Sequence, residues 1–256
     1  LSMDIYKFYN EIGWKKNKIN SIDAQLFEDL RPCAKNYVSK CRKKIKKYIP
    51  KKGTNLLDFA SGPIQYAEYL SYSKNFNTRH CVDFSKTAIR EAKSKIKKRG
   101  KYYCKDFLKI NFKKNFFDCV ISLHTIYHIN KKDQKKTVEK MIDITKKGKP
   151  IIIVYSNPNT LVSKIKNVLK FNNRNIKDKK LLYFYCHPLN WWKQFNDKAS
   201  VEVFIWRSFS SQHQKIIFPD NYIGKLMFDL LFFFENKFSK FFSKNFQYPI
   251  ILLTKK

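Results

Sequence analysis

Short apolar runs alternate with amphipathic stretches along this chain, and the runs read as buried strands. They fall at Leu56–Asp58, Arg79–Asp83, Tyr102–Cys104, Phe116–Leu123 and Ile151–Tyr155, followed by Val201–Trp206 and Tyr248–Thr254. Helical spacing fills Gln65–Lys74, then a stretch with Ser85 as N-cap running to Arg99 and stopped by Gly100, then Asp133–Lys146 ahead of a Lys147-Gly148-Lys149-Pro150 turn. Strand and helix alternating at these intervals predict an α/β fold, a mostly parallel seven-stranded sheet sandwiched by helices.

Before the first strand the pattern is helical from Met3 to Ile49. Ile5, Phe8, Tyr9 and Ile12 share one face, then Ala24, Phe27 and Leu30, then Tyr37, Val38, Cys41 and Ile45. This predicts an N-terminal helical cap over residues 1–50 ahead of a main domain at 51–256. The main domain includes an insertion at about 157–187, with a basic helix at Leu161–Leu169 and a polar turn at Asn172–Asn175. A long helix, Ile223–Phe242, carries Leu226, Leu230, Leu231, Phe234, Phe238 and Phe241, and leaves Phe228, Phe232 and Phe233 outside a single stripe. Such a helix is either buried on several sides or offers a lipid-facing surface flanked by lysines.

Thr54–Tyr66 joins the first strand to a helix through a Gly62-Pro63 break. In an open α/β sheet this turn aims free backbone N–H groups and a helix dipole into the crevice where nucleotide-like ligands sit. Asp83 ends the second strand 25 residues after Asp58, and a carboxylate there can accept hydrogen bonds from both ribose hydroxyls.

The turn resembles motif I of the class I S-adenosylmethionine (SAM)-dependent methyltransferases, Asp/Glu-x-Gly-x-Gly-x-Gly, with Gly62 kept and Ala60 and Ile64 at the other two glycine places. The resemblance covers about Leu56–Ser156, including the aromatic-Asp-hydrophobic entry to strand four and the His124–Ile129 segment after it. Ala60–Tyr69 and Ser122–Ile129 look like one bacterial subgroup of that family. It implies a Rossmann-like fold with an antiparallel last strand, and SAM as cofactor. It also implies a cofactor site of Asp58, Ala60, Ser61, Gly62 and Tyr66 in motif I, Asp83 and Phe84 after strand two, Asp106 and Phe107 after strand three, and Leu123. Tyr9 and Trp14 stand where such enzymes place aromatics over the cofactor, although packing in the core would also account for them. Ile64 is the bulkiest departure and is expected to crowd the methionine moiety.

Charge changes the picture less than its size suggests. Fifty-three Lys+Arg against 20 Asp+Glu give a formal net charge of +33, which ordinarily suggests nucleic acid or an anionic membrane surface. The excess is spread from Lys15 to Lys256 among abundant Asn, Ile and Phe, a mixture an AT-rich genome also produces, and Lys43–Lys52 and Lys95–Lys101 read as solvated helix faces. Nucleic acid is therefore possible and not favoured. Membrane contact is expected to be peripheral at most, because no run reaches the roughly 18–20 apolar residues of a span. Six cysteines lack metal-ligand spacing, and Cys81, Cys104 and Cys119 read as small buried hydrophobes. With no apolar leader core in Leu1–Asn20, a reducing, cytoplasmic setting is expected.

For transfer to oxygen a general base helps, and His124, directly after strand four, is the best-placed candidate, with His128 second and His187, His213 and Tyr155 further off. Strand four is followed by Ser122-Leu123-His124-Thr125, not the Asp/Asn-Pro-Pro-aromatic of nucleobase amino methylation. The only Pro-Cys, Pro32-Cys33, lies upstream of the turn, and no acid cluster suggests a metal. The expected function is methyl transfer from SAM to a small-molecule or glycan- or lipid-linked acceptor at oxygen. An RNA methyltransferase and a non-catalytic binding protein are the alternatives.

Overall fold

The apolar runs assemble into one mostly parallel sheet. In the computed structural model, which describes residues 4–17, 20–168 and 182–256, its strands are β1 (Gly53–Phe59), β2 (Phe76–Asp83), β3 (Gly100–Cys104), β4 (Cys119–Leu123), β5 (Pro150–Val154), β6 (Ala199–Arg207) and β7 (Tyr248–Lys255). All seven expected strands are present, in the order β3-β2-β1-β4-β5-β7-β6. β1 to β5 pair in parallel, and β7 runs antiparallel to both β5 and β6. This is the Rossmann-like fold of class I, and the strand order reverses between β1 and β4, which opens a crevice at their carboxyl ends.

The central strands are apolar on both faces because both are covered. Leu57, Val120, Ile151 and Ile153 face Val138, Met141 and Ile142 of α6 (Lys131–Ile144). Leu56, Cys119, Ile121 and Ile152 face Tyr37, Val38, Cys41 and Ile45, and Phe228 of the C-terminal third. At the other end of the sheet from the crevice, Asp118 accepts the N–H groups of Thr54 and Asn55 at 2.9 and 3.0 Å and the Lys146 ammonium at 2.7 Å, tying β1 to the entry of β4.

Several elements differ from the sequence reading. The N-terminal stretch is three helices, α1 (Ile5–Glu11), α2 (Ile22–Phe27) and α3 (Pro32–Lys44), with a two-residue ladder, Lys16–Asn17 on Asn20–Ser21, between the first two. The first crossover helix, α4 (Ala67–Ser71), is shorter than expected because the left-handed turn before it consumes residues to 66. α5 (Lys86–Ile96) has the expected Ser85 cap, its Oγ accepting the Ala88 N–H at 3.3 Å. In the insertion α7 (Leu161–Val168) begins where expected, and the Asn172–Asn175 turn lies outside the described residues.

After a short α8 (Ser211–Ile217), the expected single long helix is two, α9 (Tyr222–Lys237) and α10 (Ser239–Asn245). Neither glycine nor proline stands at the break. It follows from tertiary contact, since Phe238 leaves the helical region (φ −116°, ψ 40°), Ser239 Oγ accepts the Ile205 N–H at 3.2 Å, and α10 lies against β6.

Two side chains depart from their expected environments. Cys104 is exposed, because it ends the edge strand β3. Lys44, expected on a solvated face, is buried: its ammonium reaches Glu235 at 2.6 Å and donates to the Trp206 carbonyl at 3.1 Å. Glu235 also accepts from Tyr37 Oη at 2.6 Å and Ser208 N at 2.9 Å, so this pair joins α3, α9 and the end of β6.

Removing one partner of a buried pair strands the other charge. Lys44→Ala is expected to cost about 3–5 kcal/mol in denaturant unfolding. A Lys44→Met/Glu235→Leu double substitution should recover only part of that loss, because Tyr37 Oη and the Ser208 N–H lose their acceptor.

Candidate active site

The turn from β1 to α4 is built on three left-handed residues, Ala60 (φ 55°), Gly62 (φ 55°) and Ile64 (φ 50°). They stand at the three glycine places of motif I, so the backbone keeps the conformation that the side chains disfavour. A non-glycine residue there costs about 1–2 kcal/mol, and a β-branched one is a clear outlier. The surroundings over-determine it. Ser61 N–H donates to Val82 O at 3.1 Å, Gly62 N–H to Asp83 Oδ2 at 3.0 Å, and Lys95 Nζ holds the carbonyls of Pro63 and Ile64 at 2.6 and 2.9 Å. At Gly62 a Cβ would also come within 3.3 Å of the Trp14 ring, a tight contact. Ile64 is buried with Cys81, Ala92 and Ile96 against α5 and does not line the crevice, so the expected crowding of the methionine moiety does not arise.

The crevice is a cavity of about 680 Å³, within the usual range for small-ligand sites. Asp58, Ala60, Ser61, Gly62, Tyr66, Asp83, Phe84, Asp106, Phe107, Leu123, His124 and His128 all line it, and so do Tyr9 and Trp14. Tyr155, His187 and His213 do not: Tyr155 Oη accepts the His187 N–H at 2.7 Å, His187 stacks on Trp191, and His213 lies beside Ser210.

The carboxylates differ in what they have left to offer. Asp58 is buried and ion-paired with Arg79, whose Nε reaches it at 3.1 Å and whose Nη1 donates to Tyr69 O at 2.7 Å. Asp83 accepts from Gly62 N and from Ser85 N at 2.8 Å, and burial pushes its pKa up to about 6. Asp106 caps its own turn, accepting the Leu108 N–H at 2.9 Å. Phe107 is buried and stacks on Phe59 at 4.4 Å.

The N-terminal segment forms one wall. Tyr9 and Trp14 stack at 4.9 Å, Tyr9 Oη donates to Asp23 at 3.1 Å, and Ser85 Oγ donates to Tyr9 O at 3.0 Å. Burial raises the Asp23 carboxyl to about 7. Trp14 Nε1 and Tyr66 Oη are buried cavity-lining polar atoms with no hydrogen-bond partner among the described residues.

His124 sits at the end of β4, itself left-handed (φ 59°), with Nδ1 2.9 Å from Tyr127 Oη and its ring edge-on to Trp206 and Tyr248. Burial first, then the nearby Arg207 guanidinium, lower its pKa well below the usual histidine value, so the ring is neutral. His128 donates through Nδ1 to the Tyr183 carbonyl at 2.8 Å, and Phe184 of the same returning segment lines the cavity.

The cavity also holds Glu28, Arg207 and Tyr248, which the sequence reading did not single out. Glu28 lies between two buried guanidiniums, Arg207 at 3.1 Å and Arg42 at 3.5 Å, and Arg207 stacks over the Trp206 and Tyr248 rings. An arginine closing the otherwise apolar Val-Phe-Ile-Trp run was the available signal. Among the described residues no group of three or more His, Cys, Asp or Glu could hold a metal ion.

Residues 57–153, from β1 to the end of β5, match a family described as a methyltransferase domain. Over that stretch the chain carries a methyltransferase-type domain, and its fold is that of class I. It is 27% identical over 136 residues to an uncharacterised protein of Methanocaldococcus jannaschii, and the match spans 52% of this chain and 56%, about half, of that relative. A SAM-dependent methyltransferase from Archaeoglobus fulgidus superposes with a TM-score of 0.55 at 16% identity, covering 87% of this chain and 94% of that one. Phosphoethanolamine N-methyltransferase 2 of Haemonchus contortus, solved with phosphomonomethylethanolamine and S-adenosylhomocysteine, gives 0.53 at 18% identity, covering 84% of this chain and 52% of that one. The cavity fits SAM: a left-handed turn offers close backbone approach, Asp83 offers a buried carboxylate, and Trp14 Nε1 and Tyr66 Oη have no hydrogen-bond partner among the described residues.

The strained turn makes opposite predictions at its two non-glycine corners. Ala60→Gly relieves the left-handed cost of about 1–2 kcal/mol against a glycine entropy cost of about 0.5–1 kcal/mol, so thermal unfolding should shift slightly upward. Ile64→Gly also deletes a buried side chain and should lose about 2–4 kcal/mol.

Proposed function

We propose that this methyltransferase moves the methyl group of SAM to an oxygen of a small-molecule or glycan- or lipid-linked acceptor, with His124 as general base. The observation that carries the proposal is the placement of His124: neutral, fixed by Tyr127, and lining the same cavity as the Gly62 turn.

Asp83 would hold the ribose hydroxyls of SAM, Asp106 and Phe107 the adenine end, and the Ala60–Gly62 backbone the methionine end, with Phe84, Tyr66 and Leu123 closing the walls. Asp58, occupied by Arg79, would act on the methionine ammonium as half of an ion pair. When bound, SAM supplies a methyl already activated by its sulfonium, so alignment and exclusion of water are the protein's main tasks. Tyr9 and Trp14 exclude water. With Nδ1–H donating to Tyr127 Oη, His124 Nε2 is the atom left to take the proton of the attacking hydroxyl. His128 is the weaker candidate, because its Nδ1 is committed to holding the Tyr183 carbonyl.

Arg207, which lines the cavity, shares the Glu28 carboxylate with Arg42 behind it, and among the described residues the Nε of each guanidinium has no hydrogen-bond partner. That surplus of positive charge favours an acceptor bearing a carboxylate or phosphate, and the phosphomonomethylethanolamine bound to the Haemonchus enzyme has such chemistry.

Asp83 gives a pH-dependent test. Its carboxylate, pushed up to about 6, is protonated below that pH and accepts fewer hydrogen bonds. S-adenosylhomocysteine affinity, read by calorimetry, should therefore fall as pH drops through 6. Asp83→Asn should weaken it by about 10–100-fold at pH 8 and flatten the profile; an unchanged affinity would rule Asp83 out.

Labelled SAM incubated with fractionated cell extract identifies the acceptor. With that acceptor, His124→Gln should lower kcat by about 10²–10⁴-fold and leave S-adenosylhomocysteine affinity nearly unchanged. Recovery of label in RNA would overturn the small-acceptor reading.

A further inference from the structure

α9 carries two opposed apolar stripes, and only one is used by the fold. Gly224 and Phe228 are buried on the α3 side, where Phe228 stacks on Tyr37 at 4.9 Å. The other stripe, Ile223, Leu226, Leu230, Phe233 and Phe234, repeats at helical spacing and stays exposed; Ile223 is 61% and Phe233 56% accessible. Phe241 extends it onto α10 at 54%. An apolar surface this continuous marks an interaction site.

The charge around it is one-sided. Lys215, Lys225, Lys237, Lys240 and Lys244 of α8 to α10 are all exposed, and among the described residues none of them is in an ion pair. The three acids of the same segment are engaged elsewhere: Asp220 with the Cys33 N–H, Asp229 with Lys40, and Glu235 with Lys44. A two-fold dimer through this face would set these lysines against their own copies on chains of net charge +33. An anionic surface complements both features. Among the described residues no helix is long and apolar enough to cross a membrane.

We propose that α9 and α10 dock this protein on an anionic lipid bilayer, the aromatic and leucine stripe entering the interface and the flanking lysines pairing with head groups. The segment before α9 is tied to the α2 side of the cavity. Arg31 donates to the carbonyls of Phe218 and Gln214 at 2.8 and 3.1 Å, which holds the α2–α3 junction against the end of α8. On the α2 side stand the exposed Leu26 and Leu30, and Phe27 lines the cavity. Docking does not depend on the catalytic assignment, and its test needs no turnover.

The test is sedimentation of the full chain with vesicles of phosphatidylcholine alone, or mixed with phosphatidylglycerol at about three to one, at low and high salt. The wild type is expected to bind the mixed vesicles, less so at high salt, and the neutral ones weakly. Leu230→Glu/Phe233→Glu should lower binding to mixed vesicles by roughly tenfold or more. Lys237→Glu/Lys240→Glu should lower it on mixed vesicles and not on neutral ones. Thermal unfolding and S-adenosylhomocysteine affinity check that the variants stay folded, and the milder Phe233→Ser/Phe234→Ser replaces the glutamates if they do not.

Three results would overturn the proposal. The wild type fails to bind mixed vesicles, the stripe variants bind as well as the wild type, or the wild type sediments as a dimer that the stripe variants abolish.

Discussion

Two carboxylates end neighbouring buried strands at the crevice, and neither can stay charged there without donors. Asp58 takes a guanidinium from the adjacent strand. Asp83 takes two backbone N–H groups, and one of them, Gly62 N–H, is presented only because Ala60, Gly62 and Ile64 turn the chain left-handed. The other comes from Ser85, which also caps α5 and donates to the Tyr9 carbonyl, so the same constraint that satisfies Asp83 starts a helix and anchors the N-terminal wall. The cavity's shape follows from how these two acids are satisfied.

The opposite end of the cavity is assembled from parts far apart in the chain. Glu28 comes from the N-terminal segment, with Arg42 paired behind it, His124 and Tyr127 from the end of β4, and Arg207 and Tyr248 from β6 and β7. The matched family region spans residues 57–153, so of these residues only His124 and Tyr127 lie within it.

Much of the fold was legible because its signals are local. Runs of β-branched and aromatic residues bounded by Gly and Asp specify strands, and all seven are where the pattern puts them. The crevice was legible because its acids stand at strand ends. What stayed hidden depends on packing between distant segments: Lys44 reads as one more surface lysine until Glu235, 191 residues away, is placed beside it. The break at Phe238 has no breaker residue, and Ile64 could not be aimed without knowing that α5 lies behind it. Arg207 looks like a strand terminus until Glu28 and the cavity are in view.

The buried Lys44–Glu235 pair also sets an order of events during synthesis. α3 covers one face of the sheet from near the start of the chain, yet the carboxylate that neutralises its buried ammonium is translated 191 residues later. At roughly 5–20 residues per second that interval is on the order of 10–40 s. Over that time the nascent helix either keeps Lys44 in water or stays undocked. The docking of α3 is thus completed by a segment translated 191 residues later, and a truncation that removes α9 would leave α3 with a stranded buried charge.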